Sequence, residues 1–221
     1  MHSEQVTYEL QGKKYVGALV YDASDPAHLK LAHEHIVPLP TFTDAAGKKK
    51  VAAQSEILAL SGTTFLMLAR DSGNGFGVKG DTSLYRVLNI VDLSGATDIA
   101  GTDFDKDKPV APKGELDASV KPATLTPFID INDTAELGRF GLHNGAPNDR
   151  NNLSEKWEAM SLVSVLDPKL PDDYFLFVAN DNDFLTQDGF QVGAAYKAPG
   201  GADVDTMLLV YRVTLPGYAG R

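Results

Sequence analysis

The chain has 221 residues, 43% of them hydrophobic, with 30 acidic against 20 basic side chains and a formal charge of -10. That is enough apolar material for one large domain or part of a larger one, and it is not the composition of a disordered chain. The acidic balance argues against a nucleic-acid partner, whose phosphates call for a surplus of Lys and Arg, and the lack of cysteine excludes disulfides, zinc-thiolate sites and a thiol nucleophile.

From the amino end, Met1 to Gln5 lead into a polar segment without the basic and apolar regions of an export signal. Nowhere do about 18 apolar residues follow one another. The expectation is a chain without a membrane span, with any export signal of its relatives lying upstream. Tyr15-Val16-Gly17-Ala18-Leu19-Val20-Tyr21-Asp22 then reads as a strand, followed by a more polar stretch and then a candidate outer strand over 32–37. Within the latter, His33 and His35 share one face, but two ligands without a third are a weak metal signal.

A repeat begins near residue 50. Glu56-Ile57-Leu58-Ala59-Leu60, Phe65-Leu66-Met67-Leu68-Ala69-Arg70-Asp71, Gly75-Phe76-Gly77-Val78 and Asp81-Thr82-Ser83-Leu84-Tyr85-Arg86-Val87 recur in order. Their counterparts are Glu158-Ala159-Met160-Ser161-Leu162, Phe175-Leu176-Phe177-Val178-Ala179-Asn180-Asp181, Gly189-Phe190-Gln191-Val192 and Asp205-Thr206-Met207-Leu208, closed by Tyr211-Arg212-Val213. The apolar pieces are short, rich in Val, Leu, Phe and Tyr, and bounded by Gly, Asp, Asn or Pro, so they predict buried strands. An outer strand over 124–131 completes four per unit. The expected fold is all-β, a partial β-propeller of four-stranded antiparallel blades in a single domain. Residues 1–45 would give the outer strands of one blade, 50–135 a full blade and 155–215 most of another. A β-sandwich is the alternative.

Several motifs fail on context. Gly75-Phe76-Gly77-Val78-Lys79-Gly80 matches a dinucleotide fingerprint, but a strand rather than a helix should follow it. Asp103, Asp105 and Asp107 alternate like the start of a calcium loop, with Lys108 and Gly114 at the positions that need glycine and glutamate. Asn132-Asp133-Thr134 and Asn152-Leu153-Ser154 fit the glycosylation pattern, which matters only in a eukaryotic secretory setting.

The oxygen-rich strand end Asn180-Asp181-Asn182-Asp183 is the more informative cluster, because carboxylates and amides are what calcium takes. Arg70-Asp71 stands at the corresponding place in the other repeat. Glu56 and Glu158 both precede an innermost strand, which in a propeller lines the channel. The competing reading is that these acids cap strands and bond backbone amides in tight loops. Trp157 reads as a core anchor.

Glu56 with Leu68-Ala69-Arg70-Asp71, Trp157-Glu158-Ala159-Met160-Ser161-Leu162, and the strand ending in Asn180-Asp181-Asn182-Asp183-Phe184 resemble the phytase-like, or esterase-like, family over roughly residues 50 to 215. Ala159 departs from that family's usual glycine. The resemblance implies a β-propeller, extracellular or periplasmic, with calcium-dependent hydrolysis of phosphate or carboxylic esters. Calcium would sit on Asp181, Asp183 and Asp71, Glu158 and Glu56 would be catalytic, and Arg70 and Asn180 would bind a small anionic or ester substrate. The other hypothesis is a non-catalytic binding or scaffold module. Missing N-terminal blades, or self-association through exposed blade faces, complete the expectation.

Overall fold

The structure is a computed structural model that describes residues 14–215 and 218. Among the described residues it is all-β: thirteen strands fall into five antiparallel sheets, with one five-residue α-helix. The largest sheet is a four-stranded meander of β5 (Ala53–Ala59), β6 (Thr64–Arg70), β7 (Arg86–Asp92) and β8 (Thr124–Asp130), paired in that order. On one side of it lies the two-stranded sheet β1 (Tyr15–Asp22) and β2 (Lys30–Pro38). On the other lies a three-stranded sheet of β9 (Trp157–Ser164), β10 (Asp173–Asn180) and β13 (Leu208–Thr214), with β10 in the middle. Two short hairpins, β3 (Thr41–Thr43) with β4 (Lys49–Val51) and β11 (Gly189–Gln191) with β12 (Ala194–Tyr196), decorate the connections.

Strand β6 explains how the layers stack. Its central residues, Phe65 to Ala69, form an uninterrupted apolar run, and all five are buried. Side chains alternate across a strand, so a continuous run requires apolar cover on both faces. Leu66 and Leu68 enter a core with Leu88, Trp157, Leu176 and Val178, which joins the meander to the three-stranded sheet. Phe65, Met67 and Ala69 enter a second core with Val37, Ala52, Val91 and Leu93, which joins it to β2 and its surroundings. A third core, of Ile36, Ile99, Val110, Ala111 and Val120, packs the long 93–123 connection against β2.

Both larger sheets carry three neighbouring antiparallel strands in the same order, β5-β6-β7 and β9-β10-β13, but two of the landmarks expected to recur do not. Gly75 to Val78 lie in a loop whereas Gly189–Gln191 is a strand, so those glycine segments are not equivalent. Register shows why Tyr211-Arg212-Val213 does not match Tyr85-Arg86-Val87. Ala69 faces Val87 and Ala179 faces Leu208, so Leu208 is the counterpart of Val87 and Tyr211 that of Ile90. The Tyr-Arg-Val triplet thus recurs at two different strand positions, and the landmarks of the two segments fall out of step there. The short helix α1 (Thr134–Gly138) was not expected; Asp133 caps it by accepting from the N–H groups of Ala135 and Glu136.

Candidate functional site

The four-stranded and three-stranded sheets meet where the carboxyl end of β6 reaches the amino end of β9. A β-bulge leaves Ser55 unpaired in β5, and its hydroxyl donates to the carbonyl of Trp157 at 3.0 Å. Trp157 is fully buried and donates its indole N–H to the Ser154 carbonyl at 2.9 Å, which anchors the start of β9. From that start Glu158 turns back and forms an ion pair with Arg70. Arg70 Nη1 also donates to the Asp71 carbonyl at 3.2 Å, while its buried Nε has no acceptor.

This junction forms part of the wall of a cleft of about 830 Å³. Arg70, Asp71 and Glu158 line it with Asp81 and with Asp44 and Lys50 from the β3–β4 hairpin. Most of the acids are already committed. Asp71 accepts from the backbone N–H of Gly73 at 3.2 Å and of Leu84 at 2.6 Å and from the Ser83 hydroxyl at 2.7 Å, which shapes the 71–85 loop. Asp44 holds the hairpin turn through the N–H groups of Ala46 and Lys48.

Two glycines fix that loop against the second repeat. A Cβ on Gly75 would lie 2.0 Å from the Leu153 carbonyl oxygen, and one on Gly77, which sits at φ +80, would lie 2.3 Å from the Asp203 carbonyl oxygen. Close backbone approach therefore accounts for the Gly-rich stretch, and a loop and then β7 follow it.

Behind the cleft lies buried Arg86. Its guanidinium donates to Asn132 and Asn144 at 3.5 and 3.3 Å, and Nη2 has no partner. Burial pushes its pKa down to about 10, against the attraction of Asp71. Asn132 is thus held inside this network and Asn152 is buried, so neither glycosylation motif presents a free amide.

The Asn180-Asp181-Asn182-Asp183 turn is built differently from a calcium cradle. Asn180 is buried, accepting from Met207 N–H at 2.6 Å and donating to the Asp205 carbonyl at 3.3 Å. Asp181 accepts from Asp183 N–H at 2.8 Å, and Asn182 from Phe184 N–H at 2.9 Å. The Lys156 ammonium pairs with Asp183 and lies 3.9 Å from Asp181. The hydrogen bond to Asp183 holds the Lys156 pKa above its ordinary value. An ammonium between two carboxylates occupies the place a divalent cation would need, so these donors do not fit calcium as arranged. Nor does the structure gather the ligand set, for Asp71 serves its own loop. Glu56 accepts from its neighbour Ile57 N–H at 2.7 Å and is not among the residues that line the cleft. Of the sequence-derived residues, Arg70, Asp71 and Glu158 come together at the cleft, and Asp181 and Asp183 gather around Lys156. Asp103 and Asp105 sit in a single 3-10 turn, where Asp105 accepts from Gly101 N–H.

No family model matches the chain, and no solved structure matches it. It is similar to a protein of Arthroderma benhamiae described as an uncharacterized secreted protein, 39% identical over 190 residues. That alignment covers 80% of this chain and 37% of the relative, so the chain spans little more than a third of the length of the protein it matches. No helix among the described residues is long and apolar enough to cross a membrane.

Proposed function

We propose that this chain is a segment of a secreted phytase-like β-propeller, in which the cleft beside the Arg70–Glu158 pair binds a small anionic ester. The stacking supports the propeller reading. A four-stranded meander is covered on both faces by neighbouring sheets, and the inner strands β5 and β9 lie side by side, as adjoining blades would. Three strands of the next blade follow, and the relative has more than enough further chain to supply others. Secretion rests on the relative's description.

The observation that carries the binding role is the state of Arg70. Its Nε is buried without an acceptor, and it shares the cleft with the Lys50 ammonium. A phosphate or carboxylate that draws the Arg70 side chain into the cleft offers the acceptors this guanidinium lacks. Asp71, Asp181, Asp183 and Asn180 act as loop and strand-end fasteners in this account, so ligand binding does not require calcium.

Hydrolysis keeps one favourable feature: a ligand that draws Arg70 away would free the Glu158 carboxylate at the cleft wall as a general base. Calorimetry with phytate and with nitrophenyl phosphate tests the binding reading. Binding that is weakened about tenfold or more by Arg70→Met is expected; equal affinity in the variant overturns the assignment. Turnover of either compound that Glu158→Gln abolishes would establish hydrolysis instead.

A further inference from the structure

Strand β2 and the connection from β7 to β8 bring together a group of residues that plays no part in the cleft. His33 and His35 lie on the same face of β2, their rings stacked with centroids 6.0 Å apart and 26° between planes. Asp98 reaches them from the connection. One nitrogen from each histidine and one carboxylate oxygen of Asp98 all lie within 4.8 Å of one another.

The carboxylate is positioned before any ligand arrives. Its Oδ1 accepts from the backbone N–H groups of Glu34 and Ala100, both at 3.0 Å, which leaves Oδ2 facing the histidines, 2.7 Å from His33 Nδ1. His35 is oriented in turn, with Nδ1 3.1 Å from the Thr97 carbonyl oxygen. Backbone groups that hold a ligating carboxylate and imidazole in this way are the outer support that metal sites use. The surroundings favour a cation as well. Among the described residues no lysine or arginine pairs with Asp98, Glu34 or Asp105, and the buried Glu34 carboxylate has an oxygen without a partner. The site is also reachable, since the His33 and Asp98 side chains are 56% and 40% exposed.

We propose that His33, His35 and Asp98 form a binding site for Zn²⁺ or a closely similar divalent cation. Two imidazoles and a carboxylate are a ligand set that zinc accepts, with a fourth, solvent-filled position left open. Around a tetrahedral zinc, donors at about 2.0–2.2 Å stand roughly 3.3–3.6 Å apart, so side-chain adjustments of about an ångström close the set. The cation replaces the proton shared by His33 Nδ1 and Asp98 Oδ2, and the neutral ring carries its proton on the other nitrogen. Bound there, it ties the 93–123 connection to β2 and reinforces the third core. This site is independent of the ligand proposed for the cleft.

The test uses the untagged chain, dialysed against EDTA, with ZnCl2 as titrant and MgCl2 as control. Calorimetry is expected to show saturable binding of one zinc per chain. Melting should rise by about 5 °C or more at zinc about a hundredfold above Kd, with no rise in magnesium. Affinity should fall about tenfold or more in His33→Gln and in Asp98→Asn, both at exposed positions, as circular dichroism verifies folding. His143→Gln, which removes a second His–Asp pair elsewhere on the surface, should leave it unchanged. Absence of saturable zinc binding, or binding undiminished in both folded site variants, overturns the proposal.

Discussion

The buried Glu34 carboxyl couples the stability of the fold to pH. It sits in β2 with 1% of its surface exposed. Burial, followed by the hydrogen bond and charge of Asp105 and then the charge of Asp98, raises its pKa to about 7. The folded state therefore holds this proton more tightly than the unfolded chain does. Its stabilising effect is complete below the ordinary carboxylate range and is lost as pH rises through about 7. In EDTA-containing buffer, the urea midpoint should give a folding free energy lower at pH 8 than at pH 5 by on the order of 2 kcal/mol from this group. Glu34→Gln should remove that component of the slope. A variant with the same pH dependence as the parent would show that Glu34 is ionised in the fold. At the same scale, Lys156 keeps the Asp181 and Asp183 carboxylates neutralised. Lys156→Met is expected to create a calcium-dependent rise in melting temperature that the parent lacks.

The elements divide sharply into what the amino-acid order reveals and what it hides. Strand β6 was legible because a run such as Phe65 to Ala69 has no stable place except between two apolar layers. Strands β1 and β8 were legible from their bounded apolar content. The hairpin β3–β4 was not, since Lys49-Lys50-Val51 has no alternation that separates it from a polar loop. Buried polar side chains in β7 were hidden too: Asn89 donates to the Val87 and Met67 carbonyls at 2.9 and 3.4 Å, a role no local pattern announces. Asp98 could not be read as a partner of His33 because it lies 65 residues away and only the long connection returns it. At the cleft, Arg70 and Glu158 were visible as strand-end charges, while their mutual pairing depends on how the sheets stack. Two element-scale outcomes follow from that stacking. Trp157→Ala should cost about 3–5 kcal/mol in denaturant melts, because it empties the start of β9. Gly75→Ala should cost about 1–3 kcal/mol by forcing the 71–85 loop from the Leu153 carbonyl. A neutral Gly75→Ala would mean that the loop does not pack on the second repeat.

Across the whole molecule, apolar cover is uneven. The three-stranded sheet turns Val163, Phe175, Leu208 and Val210 outward, each at least 39% exposed, on a face that no other sheet covers among the described residues. In the proposed propeller that face meets the next blade, and the isolated chain is expected to self-associate through it. Charge substitution at Leu208 and Val210 should then shift sedimentation toward the monomer. In the proposed function the acids that suggested calcium fasten local turns instead, Asp71 in the 71–85 loop and Asp181 and Asp183 around Lys156. The most direct test follows melting temperature and turnover of phytate and nitrophenyl esters together across a millimolar calcium titration of the unmodified chain. No calcium-dependent rise in melting temperature and no calcium-dependent turnover are expected. A rise accompanied by turnover, both lost in Asp181→Asn Asp183→Asn, would show that these carboxylates hold a catalytic calcium ion.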